Sequence, residues 1–298
     1  MQHEMAANMG SEIAGGATRP RHSLITVVYN SASMIASHWE GVVLPDDVEW
    51  IVVDNCSDDD SATIAEGLGA TVLRLPANIG FGGANNVGFK RSRGEFVWFV
   101  NPDVAMKVED LDRLASVAEK ETALVAPQLC NPDGSLQPNG RGLPFLAYKV
   151  LNRISPERVK ARYHVYAAED EIKACSWLTG AFVGGQRYVL EALGPWDDRF
   201  FVYYEDSDLG LRATRAGYRN LVVGSLRWKH SWARETAKLR LQPWLLEVAS
   251  MRKFYLRYPR LLLIPRRSAQ RGGLPGRKRF GTPRFDVAPN SPNTPRED

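Results

Sequence analysis

The chain is predicted to be an α/β protein built on a parallel, doubly wound sheet. Two patterns predict it. Short apolar runs rich in β-branched residues recur from Leu24 onward, and segments of helical length separate them. That alternation is the signature of strands joined by crossover helices. A third observation points the same way: each of the first four runs stops at Asn, Asp or Gly. In open parallel sheets the ligand lies at the carboxyl ends of the strands. At 298 residues, 44% of them hydrophobic, the chain is long enough to bury a core.

In chain order, residues 1–21 are polar and rich in Gly and Ala, and read as a disordered leader without the apolar stretch of a signal peptide. Leu24–Val28, Trp50–Val53, Ala70–Leu75 and Glu95–Val100 read as buried strands. Ala32–Gly41, Asp58–Leu68 and Gly83–Ser92 have helical length, with Asp58 to Asp60 placed as capping and first-turn acids. Val108–Lys120 continues as a helix and Ala123–Ala126 as a strand. Residues 131–170 are punctuated by Pro and Gly, then charged, and read as a long excursion over a site. Regular structure resumes at Ile172–Val183. Asp206–Arg215 is a helix closed by Gly217, Leu221–Val223 a strand, and Arg234–Tyr258 a helical stretch interrupted by Pro243. From residue 261 the composition predicts disorder.

Composition removes several function classes. No run approaches the roughly 20 apolar residues of a membrane span. Three scattered cysteines, Cys56, Cys130 and Cys175, form neither zinc spacing nor a disulfide framework, so a reducing, cytoplasmic setting is expected. The net charge of +4 is uneven: eight basic against three acidic residues from Pro265 onward leave the preceding chain at −1. A body near neutrality gives nucleic-acid binding no electrostatic support.

The four strand ends carry the chemistry: Tyr29-Asn30-Ser31, Asp54-Asn55, the segment Asn78 to Gly83, and Asn101-Pro102-Asp103. The dinucleotide fingerprint is excluded, because no glycine follows the first strand, and no P-loop occurs. A diphosphate therefore needs another device. Asp103, at a strand end behind a stiffening proline, can hold Mg²⁺ or Mn²⁺. In the run from Phe200 to Leu209, Glu205, Asp206 and Asp208 stand beside four aromatic residues, a setting that can raise a carboxyl pKa and suit a general base. Asp206 also sits where a helix cap belongs, and Asp208 is spaced to pair with Arg212. His230, read alone, is more often structural than a ligand.

The series VVYNS (27–31), IVVDNCSDD (51–59), NIGFGGANNVG (78–88), WFVNPD (98–103), WLTGAFV (177–183) and FFVYYEDSDLGLR (200–212), with His230 after it, resembles the bacterial rhamnosyltransferase-type members of glycosyltransferase family 2. The resemblance runs in order over about residues 23–231. It implies a GT-A fold, a Rossmann-like, mostly parallel sheet flanked by helices and merged with a smaller acceptor-binding part. One domain would span 22–260, with a nucleotide-sugar half at 22–104 and an acceptor half at 105–260. It implies inverting transfer of a sugar, rhamnose from dTDP-rhamnose first and a UDP-sugar such as galactofuranose second, in cell-wall or polysaccharide biosynthesis. The acceptor would be a saccharide, a glycolipid or a small molecule. By the same resemblance Asp206 is the catalytic base, and Asp103 and His230 hold Mg²⁺ or Mn²⁺, with Asn101 where a second acid often stands. Tyr29 and Asn30 line the base, Asp54 takes the N3–H of uracil or thymine, and Asn78, Gly80 and Asn86 shape the sugar-nucleotide pocket. Trp177 and Gly180, with Glu205 and Asp208, lie on the acceptor side. The aromatics, leucines and arginines of Trp244–Arg267 suit peripheral contact with an anionic membrane surface.

Three rivals are weaker. A sugar-1-phosphate nucleotidyltransferase needs a basic Gly-rich opening loop that is missing. A glycoside hydrolase has no use for Asp54 and Asn78. A non-catalytic binding protein needs neither Asp103 nor Asp206.

Overall fold

In the computed structural model, residues 19–231 and 241–264 are described. Residues 1–18 of the expected leader (1–21), the start of the expected helix at 234–240 and residues 265–298 of the expected tail (261–298) lie outside them.

The first four strands appear where the apolar runs predict: β1 (His22–Val28), β2 (Val48–Asp54), β3 (Thr71–Arg74) and β4 (Phe96–Val100). The chain continues through β5 (Val104–Ala105), β6 (Ala123–Cys130), β7 (Gly140–Arg141), β8 (His164–Val165), β9 (Ile172–Cys175), β10 (Trp177–Leu178), β11 (Phe182–Gln186) and β12 (Arg219–His230). The helices are α1 (Ala32–Trp39), α2 (Ser61–Gly67), α3 (Phe81–Arg91), α4 (Leu111–Glu121), α5 (Leu146–Ile154), α6 (Lys160–Tyr163), α7 (Arg187–Leu193), α8 (Glu205–Arg215) and α9 (Leu241–Arg257).

Among the described residues the main sheet has nine strands, in the order β3-β2-β1-β4-β11-β6-β12-β5, with β9 also on β12. β3, β2, β1 and β4 are parallel throughout. Beyond β4 the sheet is mixed: β11 runs antiparallel to β4 and β6, whereas β6 and β12 are parallel. A small second sheet joins β10, β7 and β8. The chain order reverses direction across the sheet between β1 and β4, which is where ligands of such sheets bind.

Both faces of the parallel part are covered, which explains its continuous apolar runs. Trp50 and Val52 belong to the large core with Ile35, Trp39 and Ala65. Ile51 and Val53, on the opposite face, pack with Ala84 of α3. Gly88 lets α3 lie close: a Cβ there would sit 2.5 Å from the Ile25 side chain. The expected capping acids resolve to Asp59. Its carboxylate accepts the Ser61 N–H and hydroxyl at the start of α2 and the Ala32 N–H at the start of α1.

Three differences from the sequence reading matter for function. The excursion at 131–170 folds into β7, α5, α6 and β8. Helix α7 lies between Val183 and Asp206, where the sequence reading assigned no element. The strand read at 221–223 runs on to His230, past a bulge between Val223 and Arg227. After the bulge Leu226, Trp228 and His230 are buried and Ser225, Arg227 and Lys229 exposed, so strand alternation alone turns His230 inward.

Candidate active site

The strand ends assemble one polar edge. Tyr29 is exposed beyond β1. Asn30 has a positive φ of 50°, donates its backbone N–H to Ser57 Oγ (3.0 Å) and accepts the Asp58 N–H (2.8 Å). Asp54, the last residue of β2, is buried, and its Oδ1 accepts the Ser57 N–H at 3.0 Å. The loops after β1 and β2 are thereby tied together.

The segment after β3 is held from within. Asn55 accepts the Ile79 N–H (2.9 Å) and donates to Asn78 Oδ1 (2.9 Å), which also accepts the Gly80 N–H (3.0 Å). Asn55 stands at a strand end in the sequence, yet nothing there marks it as the organiser of a loop 23 residues on. Gly80 adopts φ +83°, and a Cβ on it would lie 2.3 Å from the Phe201 carbonyl oxygen. The next amide, of Phe81, donates to that same carbonyl at 2.8 Å. Glycine is required here twice, for its φ and for the close approach. Asn86 grips the Trp196 backbone in both directions, accepting its N–H at 3.1 Å and donating to its C=O at 2.8 Å. Its amide thus braces α3 against residues 196–201.

Asp103 and His230 are neighbours. β5 pairs with the end of β12, setting Val104 opposite His230, and His230 Nε2 lies 3.3 Å from Asp103 Oδ1. Both residues are almost fully buried. Burial by itself would raise the Asp103 pKa, but the His230 contact outweighs it and holds the carboxyl below its usual range. Gln137 fixes the ring from behind. Its Nε2 donates to Asn131 Oδ1 and to the His230 carbonyl, both at 2.8 Å, so its Oε1 is the atom facing His230 Nδ1 at 2.7 Å. That network places a hydrogen on Nδ1 and turns Nε2 toward Asp103. One carboxylate oxygen beside an imidazole nitrogen oriented by a buried amide suits a divalent cation. Among the described residues no group of three or more His, Cys, Asp or Glu could hold a metal. A cation here would take its remaining ligands from water and phosphate oxygens, as Mg²⁺ commonly does. Gln137, inside the undecoded excursion, carries no sequence signal of this task.

The acidic run opens α8. Tyr203 and Tyr204 both have positive φ, 67° and 71°, so the turn delivering Glu205 and Asp206 is strained. Asp206 is half-buried, and its Oδ1 accepts the Ser207 N–H at 2.6 Å and the Ser207 hydroxyl at 3.2 Å. The raised pKa expected of this aromatic setting falls on Glu205. Burial first, and the Asp206 charge second, push its carboxyl up to about 8. Asp208 is wholly buried and pairs with Arg212 (2.6 Å), as its spacing predicts, and with the Tyr258 hydroxyl (2.6 Å). It is not presented to an acceptor; it ties α8 to the residues after α9. Trp177 is 4% exposed, with its indole N–H on the Gly142 carbonyl at 2.9 Å. Gly180 sits against the Phe81 ring, 3.2 Å from where a Cβ would be.

A family model described as "Glycosyl transferase family 2" matches residues 23–178. The chain is 29% identical over 211 residues to N-acetylglucosaminyl-diphospho-decaprenol L-rhamnosyltransferase of Mycobacterium tuberculosis, covering 64% of this chain and 69% of that one. It is 26% identical over 222 residues to a low-salt glycan biosynthesis hexosyltransferase of Haloferax volcanii, covering 68% of this chain and 63% of the relative. Among solved structures, mannosyltransferase PcManGT from Pyrobaculum calidifontis, in complex with GDP-Man and Mn²⁺, superposes with a TM-score of 0.49 at 20% identity, covering 78% of this chain and 64% of that one.

Proposed function

The chain belongs to glycosyl transferase family 2, and on that premise we propose that it is an inverting, metal-dependent rhamnosyltransferase using dTDP-rhamnose and a lipid-linked saccharide acceptor. The observation that carries the reading is the Asp103–His230 pair, with its ring fixed by Gln137, at the edge where the loops after β1 and β2 also meet. The similarity to a rhamnosyltransferase whose name specifies an N-acetylglucosaminyl-diphospho-decaprenol acceptor supports the donor and acceptor classes. A UDP-sugar is the second reading, because Asp54 would accept the N3–H of uracil as readily as that of thymine.

The roles proposed are those the family resemblance implies. Tyr29, Asn30 and Asp54 hold the base of the donor, and the braced loop from Asn78 to Gly80 shapes the sugar end. Asp103 and His230 would hold the cation, which when bound supplies positive charge to the diphosphate as it leaves. Asp206 takes the proton from the acceptor hydroxyl. That oxygen attacks the anomeric carbon from the face opposite the diphosphate, and the bonding pair leaves with the phosphate oxygen. One displacement inverts the centre and needs no second nucleophile. Residues 22–104 serve as the donor half and 105–260 as the acceptor half.

Among the described residues no helix is long and apolar enough to cross a membrane. Leu245, Val248 and Leu256 of α9 are exposed, and with Trp244 they would lay the helix on the cytoplasmic face of a membrane carrying the acceptor.

A thermal-shift panel of dTDP, UDP, GDP and ADP with Mn²⁺ tests the reading. A ligand at 100 times its Kd should stabilise by about 2.7 kcal/mol. A shift with dTDP, lost in Asp103→Ala or on chelation, is expected. A dTDP shift indifferent to both would overturn metal dependence, and silence toward every nucleotide would overturn the donor assignment.

A further inference from the structure

We propose that Lys149, from the excursion before β8, is the positioning residue of the transfer site: it aims Asp206 and balances its charge through Ser207. This rests on the reading of Asp206 as the base.

Lys149 lies on α5, a helix with no fully buried residue. Its head nevertheless points inward. Nζ lies 3.0 Å from Ser207 Oγ, 4.5 Å from the centre of the Trp177 ring and 4.3 Å from that of Tyr204. A lysine on a helix surface ordinarily keeps its ammonium in water. Turning it into an aromatic enclosure costs solvation, and burial pulls its pKa down, with the Asp206 charge pushing back. The aromatic faces recover part of that cost.

The direction of the hydrogen bonds is forced. An ammonium only donates and a carboxylate only accepts. Ser207, wholly buried between them, therefore accepts from Lys149 and donates its own hydrogen to Asp206 Oδ1 at 3.2 Å, beside the backbone N–H on the same oxygen. Oδ1 is thus committed, and Oδ2 is the oxygen left to receive the acceptor proton.

The charges facing this relay come from every element around it. They are Arg141 on β7, Glu205 and Asp206 on α8 and Glu247 on α9. The phenols of Tyr163 and Tyr204 also face it; burial pushes both up, so they stay neutral at ordinary pH. With Glu205 holding its proton near neutrality, Lys149 and Asp206 form a balanced pair. Loss of the ammonium would leave a carboxylate in the same aromatic surroundings with no cation bonded to its serine.

The test is the pH profile of kcat/KM for transfer from dTDP-rhamnose to a synthetic N-acetylglucosaminyl-diphosphoprenol, in wild type, Lys149→Met, Ser207→Ala and Asp206→Asn. The acid limb reports the base in its charged form. Removing a nearby cation disfavours that form, so the limb in Lys149→Met moves to higher pH by about one unit, at the low end for an opposite charge nearby. Ser207→Ala, which deletes one buried oxygen, moves it the same way by less. The dTDP-induced thermal shift stays unchanged in both, showing an intact donor half. A rate loss in Lys149→Met with an unmoved acid limb would make Lys149 structural and overturn the proposal. If Lys149→Met fails to fold, an unmoved limb in Ser207→Ala overturns it equally. Near-normal turnover in Asp206→Asn would instead sink the assignment of the base itself.

Discussion

In this enzyme the proposed donor edge and the region around the cation pair and the proposed base are built by different means. At the donor edge, polar groups sit at the ends of adjacent parallel strands, and backbone amides hold them in short loops: Ser57 on Asp54, Asp58 on Asn30, Ile79 on Asn55. Around the cation pair and the proposed base, the groups come from segments far apart in the chain and are held by side chains. Lys149 reaches Ser207 over 58 residues, and Gln137 reaches His230 over 93. A site made of strand ends is fixed once the sheet forms. A site made of long-range side-chain contacts can be retuned one residue at a time.

The contrast can be broken or sharpened in three ways. The largest effect is expected for Asp206→Asn. It should lower kcat by about a thousandfold, within the range for loss of a general base, while dTDP with Mn²⁺ still raises the melting temperature. Loss of dTDP binding in that variant would mean that the two sides are not separable. Next is Gly80→Ala, where a donor-side backbone position is made to fail. A methyl group 2.3 Å from the Phe201 oxygen, on a backbone at φ +83°, should cost roughly 2 kcal/mol in urea unfolding. Wild-type stability there would show that the junction with Phe201 yields. The smallest change is Gln137→Leu, which frees the His230 ring without touching either proposed ligand. Mn²⁺ affinity measured in the presence of dTDP should fall about tenfold, the low end for an outer partner of a metal ligand. An unchanged affinity would place the control of His230 elsewhere.

The same contrast explains how much the sequence discloses. β1 to β4 were readable because strands buried on both faces are unbroken apolar runs, as in Trp50–Val53. Their polar ends were readable because Asn, Asp and Gly cluster where the runs stop. Helix α8 was readable from its acids and from Gly217, whose φ is +90°. The pairing of Asp103 with His230 was not, because it depends on a two-residue strand and on a bulge that has no composition of its own. Asp103 was legible as a metal ligand from its place at a strand end, whereas the role of His230 came from family resemblance. Asn55, Gln137 and Lys149 act through partners 23 to 93 residues away, and a hydrogen bond of that reach leaves no spacing to detect. Asp208 shows the converse: its i,i+4 partner Arg212 was plain, and the pair is buried beneath α8.

The seam where Gly80 meets Phe201 has a mechanical consequence. The Phe81 amide and the Phe201 carbonyl join the segment proposed to shape the donor pocket to the turn that delivers Asp206, and no room remains there for even one methyl group. On the proposed roles, the spacing between the two substrates' contact surfaces is a fixed clearance, set by backbone against backbone. On the same roles, room for larger or different acceptors would be found away from that seam, toward α5, whose Lys149 reaches Ser207.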